Sequence, residues 1–290
     1  MKKMVAVLAC AALMSIVPGV VSETVGINKE SICFAEMTNG DKITAQGFGF
    51  MRAGMPMGQA KLMARRAAIV DAQRNLVSEI KGTVVDAETT MENYVITSDV
   101  VKTKVSGMVT GAKIVSEKFE ADGSYSVIME VPAYGVGSVA DVAINAVVGN
   151  QPQVPVAAPA PSFAQNYQPV AGSGYTGVVI DAKNSGLVRT YCPAIYDTNG
   201  RAIYGVHNVD KDYAIQNGVA EYASGSARWA EVGNGGSRAG ANPLYIKIVS
   251  LRPRIVNKCD VIISVEDADK LLAENQRSNF MGRYAVVMEM

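Results

Sequence analysis

At 290 residues, with 49% hydrophobic side chains, the chain has enough material for two ordinary domains, each with its own core. Its 27 basic and 27 acidic residues cancel to a formal net charge of zero. That balance argues against nucleic acid as a partner, because phosphate binding needs a surplus of Lys and Arg on one face.

The first 22 residues read as an export signal. Lys2 and Lys3 precede an apolar run, Pro18-Gly19 breaks it, and Val20 and Ser22 occupy the −3 and −1 positions of a cleavage site after Ser22. The apolar run is too short for a stable membrane span. Val7-Leu8-Ala9-Cys10 has part of a lipobox, but few apolar residues precede the cysteine and the run continues past it. Ordinary export is therefore the expectation, with membrane contact following only from a lipid on Cys10. Cleavage leaves Cys33, Cys192 and Cys259 in an oxidising compartment. Cys192 and Cys259 each start a predicted strand in the same half of the chain, so they are the candidate disulfide, with Cys33 free or paired between chains. In a reducing setting all three would instead be small buried hydrophobes.

Residues 23–148 form the first predicted domain. A short strand at 42–50 precedes a long helix at 57–81, in which Leu62, Ile69, Leu76 and Ile80 fall on one stripe. Ala60, Met63, Ala67, Val70 and Val77 widen that stripe until only a narrow strip with Lys61, Arg65, Asn75 and Glu79 has to face water. Such a helix calls for a wrapper, and the alternating runs that follow suggest an antiparallel sheet. An irregular or strand segment at 83–91 and a short helix at 98–107 lead to a hairpin, 112–119 and 124–131, turning at Asp122-Gly123. Tyr125, Val127, Met129 and Val131 alternate there with polar residues, the pattern of a strand with one buried face. A helix at 138–148 ends the domain.

Residues 149–174 carry Pro152, Pro155, Pro159, Pro161 and Pro169 and no charged residue, which reads as a semi-rigid linker. Residues 175–290 form the second domain. It begins with a strand at 175–182 and a hairpin whose tight turn is Asn199-Gly200. Short helices follow at 210–217 and 226–232, then strands at 243–250 and 260–264. Ser264 with Glu266 and Asp267 opens the last helix as a cap with early acids, and a strand at 284–288 closes the domain.

Chemistry is sparse along this chain. The single histidine, His207, has no acidic or cysteine neighbour at ligand spacing, so neither a histidine base nor a multi-histidine metal site is expected. The glycine-rich run 233–240 lies between a helix and a strand, whereas a phosphate cradle needs a strand before it and a helix after. Ser78-Glu79-Ile80-Lys81 fits a bare S-x-x-K without its companion triplets. Asp197-Thr198-Asn199-Gly200 begins like a calcium loop, but the later ligands do not follow, and it reads as a turn. Arg65, Arg66 and Arg74 make a solvated helix edge interrupted by Asp71 and Glu79. No catalytic, cofactor or metal residue is assigned. Trp229, Tyr222 and Tyr245 are the candidate partner contacts, since aromatic residues enrich interface centres, while core packing is the default role for each and for Phe280.

Several spaced fragments carry a resemblance: Gly47-Phe48-Gly49, ARRAAIVDAQRNL at 64–76, Glu79-Ile80-Lys81-Gly82, Val109-Thr110-Gly111-Ala112, and Asp122-Gly123 leading into Tyr125 and Val127. Together they make residues 42–132 resemble the LPP-twenty family of small bacterial envelope lipoproteins, a group that includes the N-terminal domain of the flagellar assembly T protein. The second domain, with its run 175–182 and Gly240-Ala241-Asn242-Pro243-Leu244, looks like a domain joined to such modules in exported proteins of Gram-negative bacteria. The resemblance implies an envelope location, a helix held by an antiparallel sheet, and non-enzymatic roles in outer-membrane or flagellar basal-body assembly. It brings no catalytic residues. The early cysteine is poorly placed for a lipobox, which departs from the lipoprotein members.

The expectation is thus an exported α+β protein of two modules, an antiparallel sheet on a long helix and a second α+β module after the linker. It needs no cofactor and binds envelope or flagellar proteins, or further copies of itself, through open strand edges. The alternative is a secreted protein that binds a small ligand or polysaccharide through the aromatic residues of the second module.

Overall fold

In β1 (Lys42–Phe50) the odd-numbered residues Ala45, Gly47 and Gly49 are buried while Thr44, Phe48 and Phe50 are exposed, the two-residue alternation of a strand with one covered face. What covers it is α1 (Met57–Gly82), in a computed structural model that describes residues 42–150, 174–252 and 257–290. The export signal with its cleavage after Ser22, Cys10, Cys33 and the proline-bearing part of the linker lie outside the described residues. The sheet is completed by β2 (Lys113–Phe119) and β3 (Ser124–Pro132), in the antiparallel order β1-β3-β2. The β2–β3 hairpin and the mixed α+β architecture agree with the sequence reading.

The contact face of α1 does not. Leu76 and Ile80 are buried as expected, but Leu62 is 62% exposed and Met63 and Val70 also face solvent. The face turned to the sheet is the alanine ridge Ala60, Ala64, Ala68 and Ala72. The reason is distance. A Cβ on Gly47 would lie 2.1 Å from the Ala72 amide nitrogen, and one on Gly49 would lie 2.0 Å from the Ala64 carbonyl oxygen. Helix and strand backbones touch, so only glycine and alanine fit between them, and the large apolar residues are displaced to the flanks. The helix therefore lies on one face of the sheet rather than exposing only a narrow strip. A strict four-residue repeat advances ~40° per step, and the ridge winds away from the sheet until Leu76 and Ile80 join the core with α2 (Met91–Thr97) and α3 (Asp99–Thr110). The sequence reading anticipated α3, capped by Ser98 Oγ on the Val101 amide, but not α2.

α4 (Val139–Asn150) buries Val139, Ala140, Val142, Ala143, Ile144, Ala146 and Val147, an apolar surface too wide for one neighbour. It has two: α3 on one side, and α5 (Lys211–Asn217) with the 3₁₀ turn Val206–Asn208 on the other. The second module holds two four-stranded sheets. One runs β6 (Ala202–Tyr204), β5 (Ile195–Asp197), β10 (Val261–Ile263), β9 (Ser250–Leu251). The other runs β7 (Glu221–Ala223), β11 (Val286–Glu289), β4 (Gly177–Asp181), β8 (Pro243–Lys247), and every pairing in it is parallel. Buried on both faces, β4 and β11 are continuous Val, Ile and Met runs. α6 (Ser226–Gly233) and α7 (Val265–Ser278) complete the module, and Ser264 caps α7 on the Asp267 amide as its sequence predicts.

Candidate functional site

Leaving α1, the chain makes an irregular loop closed by a bridge between Val84 and Thr90, and this loop enters the second module. Val84 and Val85 are buried. The Val85 carbonyl accepts from Thr190 Oγ1 at 2.7 Å and from the Cys192 amide at 3.0 Å. On its other side the Asn257 amide donates to the Ala87 carbonyl at 2.9 Å, and Asn257 Nδ2 donates to the Asp86 carbonyl at 3.1 Å. Peptide groups in an irregular segment need partners when buried. Here the second module supplies them, so the loop acts as a clasp between modules.

A cavity of about 370 Å³ opens beside this clasp, within the usual range of small-molecule sites. Asp86, Glu88, Thr89 and Tyr94 come from the first module. Tyr196, Tyr204, His207, Arg252 and Asp260 come from the second. Asp86 is held by its own turn, with Oδ1 accepting from the amides of Glu88 and Thr89 and Oδ2 accepting from the Tyr94 hydroxyl at 3.1 Å. Burial pushes that phenol up to about 12. The Thr89 hydroxyl is buried beside it, against the same phenol. Asp260 accepts from the Ala194 amide at 3.1 Å and has Arg252 at 3.6 Å, too long for a tight pair. Burial accordingly pushes its carboxyl up to about 6. The Arg252 guanidinium also stacks on the Tyr196 ring at 4.2 Å from its centroid.

The sequence pointed elsewhere. Tyr222 is buried, and its hydroxyl meets the backbone of Thr190, so it cannot present its ring to a partner. The β7 strand carrying it was not expected, and a three-residue strand leaves no periodicity to read. Trp229 is half-buried against Val179, Val232 and Val287, with Nε1 donating to the Ala223 carbonyl and Lys183 over its ring. Tyr245 is half-exposed on β8, an edge strand. These residues form no common site with the cavity. Cys192 and Cys259 are both buried free thiols, so the anticipated bridge is not made in the structure. Burial raises both thiols, which disfavours their thiolate forms. His207 lines the cavity instead of simply following a strand. Asp197 closes its turn by accepting from the amides of Asn199 and Arg201, as the turn reading required. The loop 233–240 runs from helix to strand and is fastened by Glu221, which accepts from the Arg238 amide. Sequence reasoning missed the cavity because its walls lie up to 174 positions apart, from Asp86 to Asp260. The one local signal was the Asp-x-Glu-Thr turn at 86–89.

Residues 52–132 match the family model described as LPP20 lipoprotein. Residues 177–289 match the model described as the second domain of Treponema pallidum Tp0624. No curated protein matches the chain.

Proposed function

From a chain that is LPP20-like in residues 52–132 and like the second domain of Tp0624 in residues 177–289, we propose an exported, non-enzymatic protein of the bacterial envelope, acting by binding and assembly in the periplasm or at the outer membrane. The observation that carries this reading is the first of those matches, to a family described as a lipoprotein. The signal-like first 22 residues support it independently. Among the described residues no helix is long and apolar enough to cross a membrane.

Where partners would meet the chain follows from its strand edges. Register puts the outward-pointing backbone groups of β1 on even-numbered residues. Two of these are occupied by α1: the Phe48 amide donates to Asp71 Oδ2 at 2.9 Å, and the Gln46 carbonyl accepts from Asn75 Nδ2 at 2.8 Å. Strand addition at β1 is thus obstructed. β2 carries Lys113, Lys118 and a register irregularity between Ile114 and Ser116, devices that discourage indiscriminate pairing. β8, with Tyr245, is the better docking edge. A flagellar basal-body role is the narrower form of the proposal, motivated by the resemblance to the flagellar assembly T protein.

Fractionation and mass spectrometry test the broad reading: the chain is expected in the envelope fraction, cut after Ser22 or acylated on Cys10. Recovery of an uncut chain from the cytoplasm sinks it. Co-purification with basal bodies, with loss of motility on deletion, tests the narrower form.

A further inference from the structure

We propose that the cavity beside the 84–90 clasp binds a small organic cation, an ammonium group carried on a compact polar body. This goes beyond the envelope reading and does not depend on it. Three carboxylates line the cavity, from Asp86, Glu88 and Asp260, against one guanidinium, from Arg252. Arg252 is already engaged by Asp260 and by the Tyr196 ring. Among the described residues neither Asp86 nor Glu88 has a lysine or arginine at ion-pair distance. Among the described residues of the lining the carboxylates outnumber the guanidinium, which disfavours an anion.

A bare metal ion does not fit either. Among the described residues no group of three or more His, Cys, Asp or Glu side chains converges closely enough to hold one. The carboxylates are spread around about 370 Å³, a volume that suits a body of several heavy atoms. Tyr94, Tyr196 and Tyr204 also line the cavity, and aromatic residues with dispersed acids are favourable surroundings for an organic cation. Because both modules contribute carboxylates, an occupant would touch both.

The test is calorimetric titration and thermal melting of the full chain with glucosamine, lysine and choline as cations. N-acetylglucosamine serves as the uncharged counterpart and glutamate as the anion. At least one cation is expected to raise the melting temperature at neutral pH at millimolar concentration, while N-acetylglucosamine and glutamate do not. Glu88→Gln, at an exposed position, should weaken that cation by about tenfold, and Asp86→Asn by at least as much. Melting without ligand separates an effect on binding from damage to the loop. Binding should also weaken as pH falls below about 6, where Asp260 takes up a proton. The proposal is overturned if all three cations leave melting and heat unchanged, if the neutral sugar binds as well as glucosamine, or if Glu88→Gln binds with unaltered affinity.

Discussion

At the scale of single residues, three buried acids make two opposite statements about charge. Arg201 donates from Nε to Asp197 at 2.9 Å and from Nη2 to Asp269 at 2.6 Å, and both carboxylates are buried. One guanidinium thus compensates two charges, joining the β5–β6 hairpin to α7. Arg201→Met removes that compensation without removing the acids, and is expected to cost about 3–5 kcal/mol in a denaturant titration. Asp260 is instead under-compensated. Its folded value of about 6 lies above the ~3.9 of an unfolded aspartate, so the folded state holds the extra proton between those limits. Stability therefore falls as pH rises from about 4 to about 6 and is level above. Asp260→Asn keeps an oxygen for the Ala194 amide. It should flatten that slope and raise the melting temperature at neutral pH, and an unchanged slope would assign the effect to another group.

Among elements, α1 and β1 are fitted to each other by absence of bulk. The strand turns Gly47 and Gly49 to the alanine ridge, and the approach is so close that a single methyl group has no room. Gly49→Ala should cost about 3 kcal/mol, at the upper end of overpacking penalties, read as a lowered denaturation midpoint. Gly58→Ala, in the first turn of α1 with open space around it, is the control and should instead stabilise by about 0.5–1 kcal/mol. The strand alternation, the hairpin, the Ser264 cap and the Asn199-Gly200 turn were all legible in the sequence, because each depends on neighbours a few positions away. The face of α1 was not. Periodicity ranks positions by hydrophobicity, and a stripe of leucine and isoleucine outscored one of alanine. Which stripe is buried depends on how near the strand comes, and the glycines at 47 and 49, present in the sequence, acquire that meaning only once they are paired with a helix.

In the whole molecule, the two modules share one core, which runs from Ala45 through α4 to Met288. The 84–90 clasp adds hydrogen bonds across the junction. Asn257→Ala removes the side-chain half of that stitching, and should cost about 1–2 kcal/mol. It should also speed amide exchange in residues 84–90 ahead of α1, and uniform exchange across the first module would argue against a clasp. The composition break at 149–174 falls between the two matched stretches, 52–132 and 177–289, yet separation along the sequence says nothing of docking in space. By itself the sequence determined the mixed α+β class and the positions of most helices and strands, because propensity, periodicity and caps act over a few residues. Only the tertiary structure decided that the ridge of α1 is alanine, that Tyr222 is core, that the sheet of β4 and β11 is parallel, and that Asp86 meets Asp260 across a cavity. Those outcomes are fixed by contacts between residues far apart in the chain, whose energies depend on distances that no local pattern encodes.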